Sequence, residues 1–401
     1  MDLWQEWYHV YGADERFARF NRSTLFIEDN ALHRLPSFCK QKQWKHPLIV
    51  ADQRTYLAIG EQTKHVLEAE GIQTESCIIQ DDERNEVLAN EEAIIEVLLQ
   101  VSDQTDVIIA AGAGTIHDIV RFVAYQKNIP FVSVPSAASV DGFTSKGAPI
   151  VLRGFKKTIQ TVAPEALFAD LGVLVNAPRA MTAAGFGDML GKWTSLADWK
   201  VSSWLKQEPY DEQGAQLTEK ALHNCLEAID NLTTPTKEGI KTLMESLVVS
   251  GLVMMALDHS RPASGAEHHL SHVWEMQHLK HRHPQWLHGA KVGVACGIII
   301  DLYQQLSHQS CPHNATPTLR ERWTDIEHLF QSLPPSAEIQ RWLHLVGGPG
   351  TFAELGGTPS LLHEGLTLAH TIRDRYTGLR LAHEYPEWSR PIFDELASRI
   401  Q

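Results

Sequence analysis

Between residues 48 and 134, short β-branched apolar runs alternate with segments of helical periodicity, and beyond about Pro178 the strand-like runs almost vanish. Leu48-Ile49-Val50-Ala51-Asp52 reads as a buried strand, followed by a helical segment around Thr55 to Glu70 and a second strand at Cys77-Ile78-Ile79. Apolar residues at Ile94, Ile95, Leu98 and Leu99 give Asn90 to Val101 the spacing of a one-sided helix. Asp106 to Ala110 and Phe131 to Val134 are further strands, with a helix over Ile116 to Tyr125 between them. Strand, helix, strand in this rhythm predicts a parallel sheet covered by helices. After Pro178, segments rich in Ala, Leu, Met, Glu and Lys take over. Met244 to Leu257 reads as a buried helix, and His278 to Trp286 as a loop carrying the solvated His278, His281 and His283. The fold expected is an α/β N-terminal domain with a Rossmann-like parallel sheet over residues 1–175, then an all-α C-terminal domain over 176–401.

Length and composition narrow the function classes. A chain of 401 residues is ample for a hydrophobic core, and 35 Lys and Arg against 49 Asp and Glu leave a formal charge of −14. That acidic balance argues against a nucleic-acid partner, which normally needs a basic face. Five scattered cysteines (Cys39, Cys77, Cys225, Cys296, Cys311) form no Cys-x-x-Cys pair, so neither a disulfide framework nor a cysteine zinc site is expected. Met1 to Glu6 lacks the basic and apolar regions of a signal peptide, and the longest apolar run, Val292 to Ile300, is too short to span a bilayer. The expectation is a cytoplasmic enzyme without a membrane span.

The strand at Asp106 runs straight into Gly112-Ala113-Gly114-Thr115 and then into a helix. Glycines let the backbone bend tightly and approach a ligand, while a helix start offers unpaired N–H groups and a positive dipole end. That suits a dinucleotide pyrophosphate. A plain strand-to-helix turn, with Thr115 and Asp118 as a capping box, explains the same residues. The full Gly-x-Gly-x-x-Gly is absent, since position 117 is His. Asp52, closing its strand, could accept from a ribose hydroxyl pair or simply cap the following helix. The run from Pro135 to Ser145, rich in Ser and Gly, follows the next strand, where ligands of α/β sheets usually bind, although loops share that composition.

Three separated patches have the character of one metal site. Gly187-Asp188 places a carboxylate four residues before Lys192, His268 and His272 share a helical face, and His288 starts an apolar helix. One Asp and two His around a divalent ion leave positions open for substrate, as in a catalytic site. Chance clustering among 21 histidines and a simple Asp188–Lys192 helix ion pair are the alternatives. The zinc-protease motif is absent, because Glu267 precedes His268 instead of following it.

Taken in order, Gly112-Ala-Gly-Thr, Pro135-Ser-Ala-Ala-Ser-Val-Asp-Gly142, Gly187-Asp188-x-x-x-Lys192, Ser264-Gly-x-Glu-His-x-x-Ser-His272 and His288-Gly resemble the sn-glycerol-1-phosphate dehydrogenases, bacterial branch. These belong with the iron-type alcohol dehydrogenases, glycerol dehydrogenases and dehydroquinate synthases. The resemblance implies an active site in a cleft between the two domains. It places the pyrophosphate on Gly112, Ala113, Gly114, Thr115 and Ile116, the nicotinamide half along Ser136, Ala137, Ala138, Ser139 and near Ser145, and the adenosine ribose at Asp52. Asp188, His268 and His288 would bind one divalent ion per chain, nickel or zinc, with Asp188, Asp141 and His272 meeting the substrate. Ala113 replaces the middle glycine of the family loop, and Ser136 and Val140 stand where members often show Thr and His.

The activity implied is hydride transfer between NAD(H), possibly NADP(H), and C2 of a small phosphorylated substrate, interconverting dihydroxyacetone phosphate and sn-glycerol 1-phosphate. Asp188 and His272 would be the catalytic residues, His272 steering a hydroxyl or relaying its proton. The resemblance also implies a homodimer. Lys192, Arg261, Lys146 and Lys291 all lie near motif residues as candidate phosphate ligands. The rival readings are a polyol dehydrogenase, a dehydroquinate synthase-like lyase and a non-catalytic nucleotide sensor. The lyases carry Glu where Asp188 stands.

Overall fold

The computed structural model describes residues 3–13 and 24–399. Two compact units emerge: Met1–Thr182 with Asp230–Ala256, and Ala183–Ile229 with Leu257–Gln401. The first unit is built on strands β1 (Leu25–Glu28), β2 (Pro47–Asp52), β3 (Glu75–Ile79), β4 (Val107–Gly112), β5 (Phe131–Pro135) and β8 (Leu167–Asp170), with an antiparallel hairpin of β6 (Gly147–Leu152) and β7 (Phe155–Gln160). The six-stranded sheet has the order β1-β8-β5-β4-β2-β3, and every pairing in it is parallel.

Burial explains why the central strands read as unbroken apolar runs. Every residue of β4 and β5 is buried, because helices cover both faces of the sheet. Successive residues point to opposite sides: Val50, Ile108 and Ala110 join one core, while Ile49, Ala51, Val107 and Ile109 join the other. β1, β8 and the hairpin escaped the sequence reading. Two of these strands are only four residues long, too short for periodicity to register.

The chain leaves β2 towards β3 on one side of the sheet and leaves β4 towards β5 on the other. The carboxyl ends of β2 and β4 therefore flank the point where connections diverge, which in open α/β sheets leaves a crevice for a ligand.

The helix Lys237–Leu257 groups with the first unit although it follows residue 176. It alone among the described residues is long and apolar enough to cross a membrane, yet 72% of its most apolar window is buried inside the protein, so it is a core helix. It meets the turn after β5 closely: a side chain at Gly251 would lie 2.4 Å from Thr144 Oγ1 and 2.5 Å from the Asp141 carbonyl oxygen. Thr144 Oγ1 donates to the Val248 carbonyl at 3.1 Å, and Ser250 Oγ donates to Asp141 Oδ2 at 2.9 Å.

The second unit is helical among its described residues. His278 departs from expectation: it lies inside the helix Ala266–His281, is buried, and its Nδ1 pairs with the Pro284 carbonyl at 2.7 Å. His281 and His283 are exposed.

His117, which stands where a third glycine would complete the nucleotide fingerprint, locks the helix Gly114–Lys127 to the sheet. Its Nδ1 donates to the Ala113 carbonyl at 2.9 Å and its Nε2 accepts from Ser133 Oγ at 2.7 Å. Burial holds this imidazole down at about 3, against 6.5 in an open chain. The folded state keeps the ring neutral while the unfolded chain protonates it, so stability is present above pH 6.5 and is lost as pH falls towards 3. Between pH 7 and pH 5 this group is expected to cost about 2 kcal/mol of folding stability. His117→Gln, which retains a donor and an acceptor, should flatten that part of the pH profile in denaturant titrations; an unchanged slope would refute the assignment.

Candidate active site

The turn after β4 begins with Gly112 and passes through Ala113, the N-cap of the helix Gly114–Lys127, which has no side-chain cap. Gly114, Thr115 and Ile116 form the first turn of that helix. The capping box considered for Thr115 and Asp118 does not form, since both residues lie inside the helix, and Asp118 pairs with Arg121 at 3.0 Å instead. The start of the helix thus keeps its backbone N–H groups uncapped by a side chain, the condition for receiving an anion.

Asp52 does cap. Its Oδ1 accepts from Thr55 N at 2.8 Å, and Thr55 Oγ1 accepts from Asp52 N at 3.0 Å. Capping engages one carboxylate oxygen at the carboxyl end of β2, beside the divergence of the sheet connections. Ser136, Ala137, Ala138 and Ser139 are buried in the turn after β5, and Ser136 N donates to the Gly112 carbonyl at 3.0 Å, which ties this turn to the end of β4. Ser139 Oγ is buried without a hydrogen-bond partner, an orphan that a bound ligand's polar group would satisfy. Ser145 Oγ donates to the Gly142 carbonyl at 3.3 Å. These positions fit a dinucleotide.

In the second unit, Asp188, His268 and His288 converge: one ligand atom of each lies within 4.8 Å of the others. Asp188 comes from the helix Arg179–Leu190, His268 from Ala266–His281, and His288 is the first residue of His288–Ser307. Glycine makes the crossing possible. A side chain at Gly289 would lie 1.7 Å from the Ala184 carbonyl oxygen, and one at Gly187 would lie 2.3 Å from the Gly289 carbonyl oxygen. Backbone therefore packs on backbone one residue away from Asp188 and one from His288.

The donor set suits a divalent cation. His268 Nδ1 donates to Glu267 Oε1 at 2.7 Å, which leaves the Nε2 lone pair facing Asp188 Oδ1 at 3.7 Å. A carboxylate behind a histidine fixes the tautomer and ring orientation that metal binding needs. Glu267 is itself buried and held by Thr194 Oγ1 at 2.6 Å and Gly265 N at 2.6 Å. Burial alone would raise its carboxyl, but the His268 bond, together with these donors, holds it below the usual carboxylate range. The ion pair considered for Asp188 and Lys192 also exists, at 3.3 Å with both side chains fully buried. The ion pair thus forms beside the point where Asp188, His268 and His288 converge.

His272 belongs to the same cluster, with its ring 6.3 Å from that of His268 and 6.1 Å from that of His288. Asp141, which the first unit holds through Ser250, is almost fully buried. Of the candidate phosphate ligands, Lys192 also donates to the Ala263 carbonyl at 3.3 Å, Lys291 pairs with Glu275 at 3.0 Å, and Arg261 pairs with Glu208 at 2.6 Å. Lys146 lies in the first unit.

Sequence reasoning gave no role to four residues around this cluster. Thr194 and Glu267 anchor His268, and the adjacency of Glu267 to His268 was the available signal. Arg373, 101 residues from His272, brings Nη2 to 3.3 Å from His272 Nε2, with nothing in its local sequence to announce it. Asp198 accepts from Ala266 N at 2.7 Å, Gly378 N at 2.7 Å and Tyr303 OH at 2.5 Å. Burial and the nearby Glu267 push its carboxyl up to about 7 against those three hydrogen bonds.

Comparison with known proteins places the chain in a family. The iron-containing alcohol dehydrogenase family model matches residues 26–178. The glycerol-1-phosphate dehydrogenase [NAD(P)+] of Bacillus velezensis is 51% identical over 369 residues, 91% of this chain and 93% of that protein. The Bacillus subtilis protein of the same name is 47% identical over 372 residues, covering 93% and 94%. The crystal structure of glycerol dehydrogenase from Schizosaccharomyces pombe superposes with a TM-score of 0.65 at 18% identity, covering 94% of this chain and 90% of that one, which shows the shared fold. The chain belongs to the glycerol-1-phosphate dehydrogenases of the iron-containing alcohol dehydrogenase family.

Proposed function

We propose that this protein reduces dihydroxyacetone phosphate to sn-glycerol 1-phosphate, and runs the reverse oxidation, with a nicotinamide nucleotide and one divalent ion per chain. The observation that carries this reading is the convergence of Asp188, His268 and His288 from three helices; the relatives' printed names supply the substrate and the cofactor. The reaction consumes a hydride from the reduced nicotinamide and one proton from solvent, and leaves the oxidised nucleotide.

In this reading the pyrophosphate rests on Gly112 to Ile116, the nicotinamide half runs along Ser136 to Ser139 and towards Ser145, and Asp52 meets the adenosine ribose. Asp188, His268 and His288 hold the ion, nickel or zinc by their donor types and by family likeness. Bound there, a divalent ion supplies Lewis-acid polarisation of the C2 oxygen. Glu267 keeps His268 in the tautomer that presents Nε2. Asp188 and Asp141 accept from substrate hydroxyls. His272 meets the substrate beside the ion and orients its oxygen or passes its proton. The protein works as a homodimer in a reducing compartment, the cytoplasm; its five cysteines are free thiols, which suits that setting.

The decisive assay follows reduced nicotinamide absorbance with metal-loaded protein. Oxidation with dihydroxyacetone phosphate but not with dihydroxyacetone is expected. Activity on the phosphate-free ketone alone would make the protein a polyol dehydrogenase, and no net redox change would favour the lyase or sensor.

Chelation should abolish turnover and readdition of a divalent ion should restore it. His268→Ala is expected to lose both bound metal and activity. His272→Ala should keep stoichiometric metal by elemental analysis while turnover falls on the order of a hundredfold. Metal lost from His272→Ala and retained by His268→Ala would reverse the two roles.

For cofactor choice, the Asp52 carboxylate should accept from both ribose hydroxyls of NAD and repel the additional phosphate of NADP. NAD is expected to bind at least as well as NADP, and Asp52→Ala to lower the ratio of NAD to NADP efficiency in kcat/KM. A strong native preference for NADP would remove Asp52 from the ribose.

A further inference from the structure

We propose that Arg373 receives the phosphate of the substrate, with Arg375 bracing the segment that carries it. The inference rests on the glycerol-1-phosphate reading above. Arg373 and Arg375 lie between the short helical turn Ala369–Thr371 and the helix Gly378–Glu384. The Arg373 guanidinium reaches His272 Nε2 at 3.3 Å and Ser264 Oγ at 3.5 Å. Lys192, Lys291 and Arg261 are bound to the carboxylates of Asp188, Glu275 and Glu208. Arg375 Nη1 donates to the carbonyls of Ser264 and Ser260, and its Nη2 to Ser260 Oγ at 3.0 Å. Those bonds tether the segment to the stretch just before the His-bearing helix. Burial lowers both guanidiniums, and their mutual repulsion adds to this at Arg375, a cost that a dianion beside them would relieve.

Distance fits the chemistry. The substrate phosphate is separated from C2 by one methylene and one ester oxygen, so it must lie within a side chain's span of the ion. His272 links the two: its ring is 6.1 Å from that of His288, and its Nε2 is 3.3 Å from Arg373 Nη2. A guanidinium can only donate, so His272 Nε2 accepts and its proton resides on Nδ1, which lies 3.6 Å from Glu275 Oε2. A phosphate taking the Arg373 hydrogen bonds releases Nε2 to accept from a substrate hydroxyl. Planar, forked donors suit that recognition better than an ammonium does.

The test compares Arg373→Lys and Arg373→Ala with the native protein, all metal-loaded. The KM for dihydroxyacetone phosphate should rise ~10-fold in the lysine variant and ~100-fold in the alanine variant, with kcat changed far less. Affinity for inorganic phosphate, measured by calorimetry, should weaken in parallel, while metal content and thermal midpoint stay native. An unchanged KM in an active enzyme, or a raised KM in Lys146→Ala instead, would overturn this inference alone. A native protein that binds phosphate through Arg373 yet oxidises no reduced nicotinamide would overturn the proposed activity and support the anion site.

Discussion

Much of the helical unit is organised by one buried carboxylate. Asp198 accepts from the backbone at Ala266, where the helix bearing His268 and His272 begins, and from Gly378, just past the Arg373 segment. It also takes the hydroxyl of Tyr303, which lies on the helix that His288 begins. Three chain segments with no sequence proximity are thereby pinned to one point. A carboxylate carries several acceptor sites and loses hydration on burial, so it is stable there only when those sites are filled. The fully buried Asp198 thus acts as a register for the candidate metal ligands and for Arg373 at once.

Charge around the cluster follows the same rule. Buried Lys192, Lys291 and Glu267 each have a designated partner in Asp188, Glu275 and His268. An interior without such pairing could not hold this many ionisable groups. Lys192 also sits beside the candidate ligand Asp188, a built-in neutralising charge that a divalent ion would have to tolerate or displace. In the α/β unit the logic is different. No charged side chain caps the turn after β4, and the backbone N–H groups of the helix start, with the orphaned Ser139 hydroxyl, offer dipoles instead.

The candidate site was readable in pieces. Asp188, His268 and His288 stood out as residue types with the right neighbours, and His268 with His272 shared a face by helical spacing alone. Their grouping was expected from residue type and family resemblance, whereas the packing beside them, the Gly187–Gly289 crossing where backbone atoms meet, is marked by no side-chain pattern. Asp52 and Asp188 show why alternatives had to stay open. Each does the ordinary structural job considered for it, and that job leaves the proposed functional role of each to be tested by mutation. Thr115 with Asp118 did not form the box their spacing allowed, since the helix starts before them at Gly114.

By itself, the sequence determined that a parallel sheet precedes a helical half, because β-strand and helix periods are local properties of apolar spacing. It also marked the family's motifs in order. Only the tertiary structure decided that the apolar helix Lys237–Leu257 serves the sheet-bearing unit, that His278 is buried, and that Arg373 meets His272. The physical reason is range. Hydrogen-bond spacing within an element is written over a few residues, whereas burial and long-range pairing follow from which surfaces exclude water against one another, and that is settled only when the whole chain has packed.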